Sequence, residues 1–122
     1  MAPVEPVNTS SFILDIWKDL SITARERKPG PPERIDGMSV GVVTIAPGES
    51  PHDGEMHPDG DEILYVVSGM LRVTHDSGNQ PVDLFAGQAC IVRKGEWHKV
   101  DCLEETKLIH ITPGPNGEAR FK

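Results

Sequence analysis

The sequence predicts an all-β fold, and three observations support that prediction. Glycine and proline are frequent and spread along the chain, with 12 and 11 copies in 122 residues. Short runs rich in apolar and β-branched residues recur at intervals of roughly ten residues from position 38 onward. Turn-forming pairs such as Pro47-Gly48 and Lys94-Gly95 separate these runs. This rhythm is typical of a sandwich, jelly roll or barrel, and the length leaves room for one domain.

The predicted barrel domain covers residues 38–113. The apolar runs within it predict strands at 38–46, 63–67, 70–75, 82–85, 89–92, 99–103 and 107–112. The tail at 114–122 contains few apolar residues and is expected to be irregular.

Residues 1–37 form an N-terminal segment that is expected to pack on the barrel or on a partner subunit. Five apolar side chains at the spacing of one helical face predict a short amphipathic helix: Phe12, Ile13, Ile16, Trp17 and Leu20. The alternative is an extra β-strand, added to a sheet edge or exchanged with a partner subunit. Residues 28–37 read KPGPPERIDG, and the prolines and glycines there predict an irregular surface connection.

The charge of the chain argues against a nucleic-acid-binding protein. The formal net charge is −7, whereas nonspecific binding to phosphates requires clustered lysines and arginines. Arg25, Arg27 and Lys28 form one short basic run, interrupted by Glu26, and this run is expected to be a solvated turn.

Membrane insertion and secretion are not expected either. No stretch approaches the ~18 consecutive apolar residues of a membrane span, and residues 1–8 lack the pattern of a signal peptide. Cys90 and Cys102 are too few for a disulfide-stapled scaffold. The sequence therefore predicts a cytoplasmic protein whose cysteines are thiols.

A polar loop dense in His, Asp and Glu lies between Gly48 and Gly69 and runs directly into an apolar strand. His57 and Glu62 are separated by a segment containing proline and glycine, so the chain can turn and bring both side chains together. A second tight turn delivers His98 at the start of another strand. Two histidines and a carboxylate suit Fe, Mn, Ni or Zn and leave coordination positions open for a substrate. The alternative is a polar loop beside a hydrogen-bonded strand histidine.

The two segments resemble the two signature motifs of the cupin superfamily. The residues that match the first motif are His57, Glu62 and Gly69, and those that match the second are Gly87, Gly95 and His98. The resemblance implies a double-stranded β-helix, a jelly-roll barrel that binds one divalent metal ion at its mouth. Fold alone says little about activity, because cupins include isomerases, dioxygenases, decarboxylases, cyclases, sugar binders and storage proteins.

The chain departs from the family motifs at three positions. Glu55 replaces the first histidine of the first motif, Arg93 a proline and Cys102 an asparagine. If Glu55 is a fourth ligand, two histidines and two carboxylates favour a harder ion such as Mn or Fe. The alternatives at this position are His52, which lies three residues earlier, and a water molecule.

The alternation of side chains along strands predicts what surrounds the metal. Val100 and Cys102 share the face of His98, so Cys102 is expected to form part of the pocket wall. His110 points to the opposite side from Ile109 and Ile111. It is either an acid or base facing the cavity or a surface histidine.

Two functions are consistent with these residues. The first is a metal-dependent enzyme of isomerase, dioxygenase or cyclase type that acts on a small oxygen-bearing metabolite. Its catalytic acid or base is His110, or Glu55 if Glu55 does not bind the metal. The second is a module that binds or senses a sugar or small acid in the same pocket without turnover. A homodimer is expected in either case, because the apolar side chains of the N-terminal segment and the sheet edges need a partner.

Overall fold

The computed structural model describes residues 3–30, 33–50, 52–78 and 80–120, and the regular elements in these ranges are all β-strands. The strands are β1 Phe12–Trp17, β2 Ile22–Glu26, β3 Gly37–Ile45, β4 Glu55–Met56, β5 Glu62–Ser68, β6 Met70–His75, β7 Val82–Phe85, β8 Ala89–Val92, β9 His98–Cys102, β10 Thr106–Gly114 and β11 Glu118–Ala119. They form a six-stranded sheet in the order β2-β1-β3-β10-β5-β8 and a five-stranded sheet in the order β11-β4-β9-β6-β7. In these ranges no helix is long and apolar enough to cross a membrane.

The two sheets enclose the hydrophobic core between their inner faces. On β5, Glu62, Leu64 and Val66 are buried while the residues between them are exposed, as expected for a strand with one face inward. The core consists of Ile45, Leu64, Val66, Leu71, Val73, Leu84, Val92, Val100, Cys102 and Leu108. Two antiparallel sheets around one core are the jelly-roll architecture that the sequence predicts.

All seven strands predicted for the barrel are present. The strands at 70–75, 82–85 and 89–92 have the predicted bounds, and the other four differ at their ends by one or two residues. Two of these differences concern the candidate ligands, since β5 begins at Glu62 and β9 begins at His98. Both side chains are therefore held by a strand.

The predicted N-terminal helix is wrong, and the alternative of an added strand is confirmed. Strands β1 and β2 form an antiparallel hairpin, and β1 continues the six-stranded sheet by pairing with β3. Alternate side chains of β1, Ile13 and Asp15, are buried. The carboxylate of Asp15 accepts hydrogen bonds from Arg25 on β2 and from Ser39 on β3. These contacts with both neighbouring strands explain why an extended conformation is preferred to a helix.

The C-terminal residues return to the barrel. Within the segment expected to be irregular, β11 pairs with β4, and β4 in turn pairs with β9. This arrangement fixes β4 in the five-stranded sheet, although it has only two residues.

Candidate metal centre

Four candidate ligands come from three strand segments that meet at one end of the barrel. Glu55 lies on β4 and is directly opposite His98, the first residue of β9. His57 follows β4, and Glu62 is the first residue of β5 in the other sheet. The strand pairing thus brings together residues that are far apart in the sequence.

The ligand atoms of these residues converge on one point. The Nε2 atom of His98 lies 3.0 Å from Oε1 of Glu62 and 3.4 Å from Oε1 of Glu55. The Nε2 atom of His57 lies 3.3 Å from the same Glu55 oxygen and 3.6 Å from Oε2 of Glu62. One potential ligand atom from each of the four residues lies within 4.8 Å of all the others. The residues could therefore hold one metal ion.

Three of the four candidate ligands are almost completely buried. Glu62 is 1% exposed, His98 2% and His57 5%. Among the described residues, Nε2 of His57, Nε2 of His98 and Oε1 of Glu62 find no partner with hydrogen-bond geometry, although they lie close together. Buried polar atoms normally have a partner. Because these atoms point at a shared position, and because two imidazoles and two carboxylates suit a divalent cation, the residues fit a metal ion.

Outer contacts orient two of the ligands. The Nδ1–H group of His98 donates to the backbone carbonyl of Glu96 at 3.1 Å, which leaves Nε2 free to coordinate. The hydroxyl of Thr112 donates to Oε2 of Glu62 at 2.6 Å, which leaves Oε1 directed at His98. Such contacts fix the rotamer and tautomer that a ligand needs.

His52 contacts Glu55 on the side away from the other ligands. The backbone N–H of Gly54 donates to Nδ1 of His52 at 3.1 Å, so the neutral ring carries its proton on Nε2. That nitrogen lies 3.3 Å from Oε2 of Glu55, whereas Oε1 faces His57 and His98. The structure thus places His52 where it positions Glu55, a role that the sequence does not indicate.

Comparison with known proteins identifies the family. The Cupin domain family matches residues 41–112, which is more than half of the chain. The chain belongs to the cupin family. Its fold resembles a cupin superfamily protein of Desulfitobacterium hafniense, with 24% identity and a TM-score of 0.57 over 66% of this chain and 70% of the other.

Two further solved structures have the same fold. A conserved protein of unknown function from Streptococcus pyogenes is 20% identical, with a TM-score of 0.59 over 69% of each chain. An oxalate decarboxylase mutant from Bacillus subtilis is 21% identical, with a TM-score of 0.58 over 67% of this cupin and 24% of that chain. No curated protein sequence is significantly similar to this cupin.

The carboxylates and imidazoles of the site shift each other's pKa values. Burial favours the neutral form of Glu55, but contacts with His52, His57 and His98 outweigh it and hold the pKa of this carboxyl well below its usual range. Burial also disfavours the charged form of His98, yet Glu55 and Glu62 together raise the pKa of His98 to about 10. The carboxylates thus make this end of the barrel a strong attractor for cations.

Metal binding to this cupin is expected to weaken as the pH falls. A cation can bind Nε2 of His98 only after displacing a proton, because the pKa of His98 is raised to about 10. The dissociation constant for Mn²⁺ should therefore rise about tenfold for each pH unit lost between about pH 8 and pH 6, with one proton released per ion. Titrations at constant ionic strength would measure this slope. Constant affinity over that range would contradict histidine ligation.

His110 lies on the inner face of β10 and lines the cavity next to the candidate ligands. It is paired with Gly41 on β3, where an added Cβ would lie only 2.3 Å from Nε2 of His110, so glycine makes room for the ring. Nδ1 of His110 lies 2.9 Å from the Thr112 hydroxyl, whose proton is donated to Glu62. Nδ1 of His110 is therefore the donor in this contact, and Nε2 carries the lone pair.

The environment of His110 favours the neutral ring. Burial lowers the pKa of His110 to about 4, and the positive charges of Arg34 and Arg27 act in the same direction. A neutral imidazole with a free lone pair on Nε2 can accept a hydrogen bond from a ligand in the cavity. Of the two interpretations of His110, the structure is consistent with the cavity-facing one, while its role in catalysis stays a prediction.

Cys102 occupies the core on the inner face of β9 and is not one of the residues that line the cavity around His110. Burial raises the pKa of its thiol. Cys102 is therefore a buried apolar residue, whereas the sequence placed it in the pocket wall.

The cavity above the metal site has a volume of about 860 Å³. Its lining includes Glu55, Glu62 and His110, together with residues of the N-terminal hairpin and of the connection that follows. Arg25 and Arg27 belong to this lining, so their interpretation as part of a solvated turn is wrong. The alternation of Thr23, Arg25 and Arg27 along a strand is the signal that could have placed both arginines on the inner face.

Proposed function

We propose that this cupin binds one divalent metal ion through Glu55, His57, Glu62 and His98 and acts as an enzyme on a small oxygen-bearing metabolite. The observation that carries the proposal is the convergence of ligand atoms from four residues at one point. Two of these residues, Glu55 and Glu62, also line a cavity of about 860 Å³. A cavity of this size is typical of small-molecule sites. Isomerase, dioxygenase and cyclase reactions all suit such a site.

In the proposed reaction, the metal ion and the side chain of His110 have different roles. A bound divalent ion supplies Lewis acidity toward an oxygen of the substrate, and two carboxylates in the ligand set favour Mn or Fe. Burial keeps His110 neutral, and its Nε2 offers a lone pair that can accept a hydrogen bond from the substrate. The contact from His110 through Thr112 to Glu62 fixes the imidazole relative to the metal site.

A module that binds a small molecule without turnover is the second candidate. The protonation of the two cysteine thiols is consistent with this candidate, because it leaves the chain without an activated thiolate nucleophile. Burial raises the pKa of Cys90 and of Cys102, so neither is an activated thiolate. Covalent catalysis by a thiol is therefore not expected.

A substrate panel distinguishes the two candidates. Manganese-loaded and iron-loaded protein would be assayed for O₂ consumption and for turnover of sugars, keto acids, aromatic diols and oxalate, the last because of the Bacillus subtilis oxalate decarboxylase. His110→Asn is the informative variant, since the proposal expects it to keep the metal and to lose turnover. Saturable binding of a panel compound without any product would support the binding module.

We also propose that this cupin forms a homodimer through the outer face of the six-stranded sheet. On β5 the outward side chains Ile63, Tyr65 and Val67 are all apolar or aromatic and exposed. Ile63 is paired with Ile91 on β8, which is 56% exposed. A contiguous apolar face of this kind on a sheet that is already packed on its other side is typical of an interface.

Placing a charge on this face is expected to dissociate the dimer. Ile91→Glu would put a carboxylate into a desolvated interface and should convert the wild-type dimer to a monomer in sedimentation velocity at micromolar concentration. Leu103→Glu is the matched control, because Leu103 is 62% exposed and lies outside the six-stranded sheet. A monomeric wild type at high micromolar concentration would contradict the proposal.

A further inference from the structure

Three arginines line the cavity, and one of them is neutralised within the chain. Arg25 forms a two-point ion pair with Asp15, from Nε to Oδ2 at 2.9 Å and from Nη2 to Oδ1 at 3.1 Å. Its remaining terminal nitrogen donates to the backbone carbonyl of Glu33 at 2.9 Å. Arg25 therefore has little capacity for a ligand and serves to join β2 to β1.

The other two arginines, Arg27 and Arg34, differ from Arg25. Within the ranges that the structure describes, neither has a carboxylate within ion-pair distance. Arg27 donates from Nη2 to the carbonyl of Val42, but its Nε is buried without a partner. Nη1 of Arg34 is also buried and has no partner among the residues that the structure describes. A buried guanidinium N–H group that lacks a hydrogen-bond acceptor is unfavourable. A ligand in the cavity could supply the acceptor for both side chains.

The other charged residues of the cavity do not neutralise Arg27 and Arg34. Glu26, Lys28 and Glu33 lie at its rim and are exposed. The acidic groups acting most strongly on Arg34 are Glu55 and Glu62. Both are candidate ligands, so an ion at the metal site would take up their charge. Arg27 and Arg34 would then face the cavity without a counter-charge from the described residues, in a chain whose formal net charge is −7.

We propose that the cavity binds a small organic anion whose carboxylate or phosphate group is held by Arg27 and Arg34, beside the metal site. Guanidinium groups bind such oxyanions through paired, charge-assisted hydrogen bonds. Apolar side chains of the same cavity, Ile13, Val43 and Leu108, offer a surface for the carbon skeleton of the anion. The inference rests on the proposed function, since it names the class of molecule that the metal-dependent reaction would use.

Calorimetric titration of manganese-loaded, full-length protein with malonate and with inorganic phosphate tests this proposal. Arg27→Gln and Arg34→Gln should each weaken binding of the preferred anion by at least about tenfold, while manganese content stays at the wild-type level. Arg72→Gln is the control, because Arg72 pairs with Asp83 on the other sheet, and it should bind like the wild type. Tighter binding of malonate would indicate a carboxylate ligand, and tighter binding of inorganic phosphate a phosphate ligand.

A second pair of variants shows whether weaker binding results from unfolding of the protein or from loss of the anion site. Arg27→Lys and Arg34→Lys keep the charge and should recover part of the affinity, and thermal unfolding reports whether each variant is folded. Unchanged anion affinity in both glutamine variants, or binding of neither probe, would overturn the inference. If wild-type protein retains no manganese, the proposed function fails. Arginine-dependent anion binding to that protein would still support the inference, and its absence would overturn it.

Discussion

Replacing His98 or His57 with alanine is expected to remove most of the metal from this cupin. Each change deletes an imidazole whose Nε2 is buried, has no partner in the described part of the chain and points at the other candidate ligands. Loss of a ligand should weaken binding by more than about 100-fold, beyond the range typical of residues that only orient ligands. Elemental analysis should find about one divalent ion per wild-type chain and much less in either variant.

His75→Ala is the matched control for these variants. His75 is paired with His98 across β6 and β9, but its Nδ1 contacts the side chain of Glu96 at 3.0 Å. It lies outside the ligand cluster, so this variant should keep the wild-type metal content. Equal metal content in the wild type, His57→Ala and His98→Ala would exclude the metal site.

Glu55→Gln is expected to have the second largest effect, because it removes a negative charge while keeping the size of the side chain. Oε1 of Glu55 lies 3.3 Å from Nε2 of His57 and 3.4 Å from Nε2 of His98, as expected of a shared ligand position. With Glu55 ionised, the ligand set carries two negative charges, which balance a divalent ion. The substitution should weaken manganese binding about 10- to 100-fold, measured by competition with a metal-binding dye.

Two further variants define the role of Glu55. Glu55→His restores the family motif and should retain metal while shifting preference toward Ni and Zn, which favour nitrogen ligands. His52→Ala removes only the contact to the outer oxygen, so it should weaken binding less than Glu55→Gln does. Unchanged metal content and metal preference in all three variants would show that Glu55 is a solvated carboxylate and not a ligand.

The strands, and the strand starts at which the candidate ligands lie, were predictable because their signals are local. The alternation that defines β5 and β9 is read from a few consecutive residues, and so are the turns that precede them. Glu62 and His98 lie at the start of these strands, where a turn delivers a side chain to the end of the barrel. The motif resemblance then identified Glu55 as the position at which this chain differs from its family.

The helix predicted for the N-terminal segment shows where local signals fail. The spacing of its apolar residues fits a helical face, yet the buried residues are Ile13 and Asp15, which alternate as in a strand. Asp15 prefers that conformation because Arg25 and Ser39, on two different strands, both contact it. Contacts with two strands that come later in the chain are not visible in a short window of sequence.

The sequence by itself determined the all-β class, the barrel strands and the residue types available to a metal ion. Only the tertiary structure decided that His52 supports Glu55 and that His110 borders the cavity. It also decided that Arg27 and Arg34 face the cavity without an acidic partner among the described residues. The physical reason is that strand position depends on short-range alternation and turns. The partner of a buried charge depends on which distant strands the sheet brings beside it.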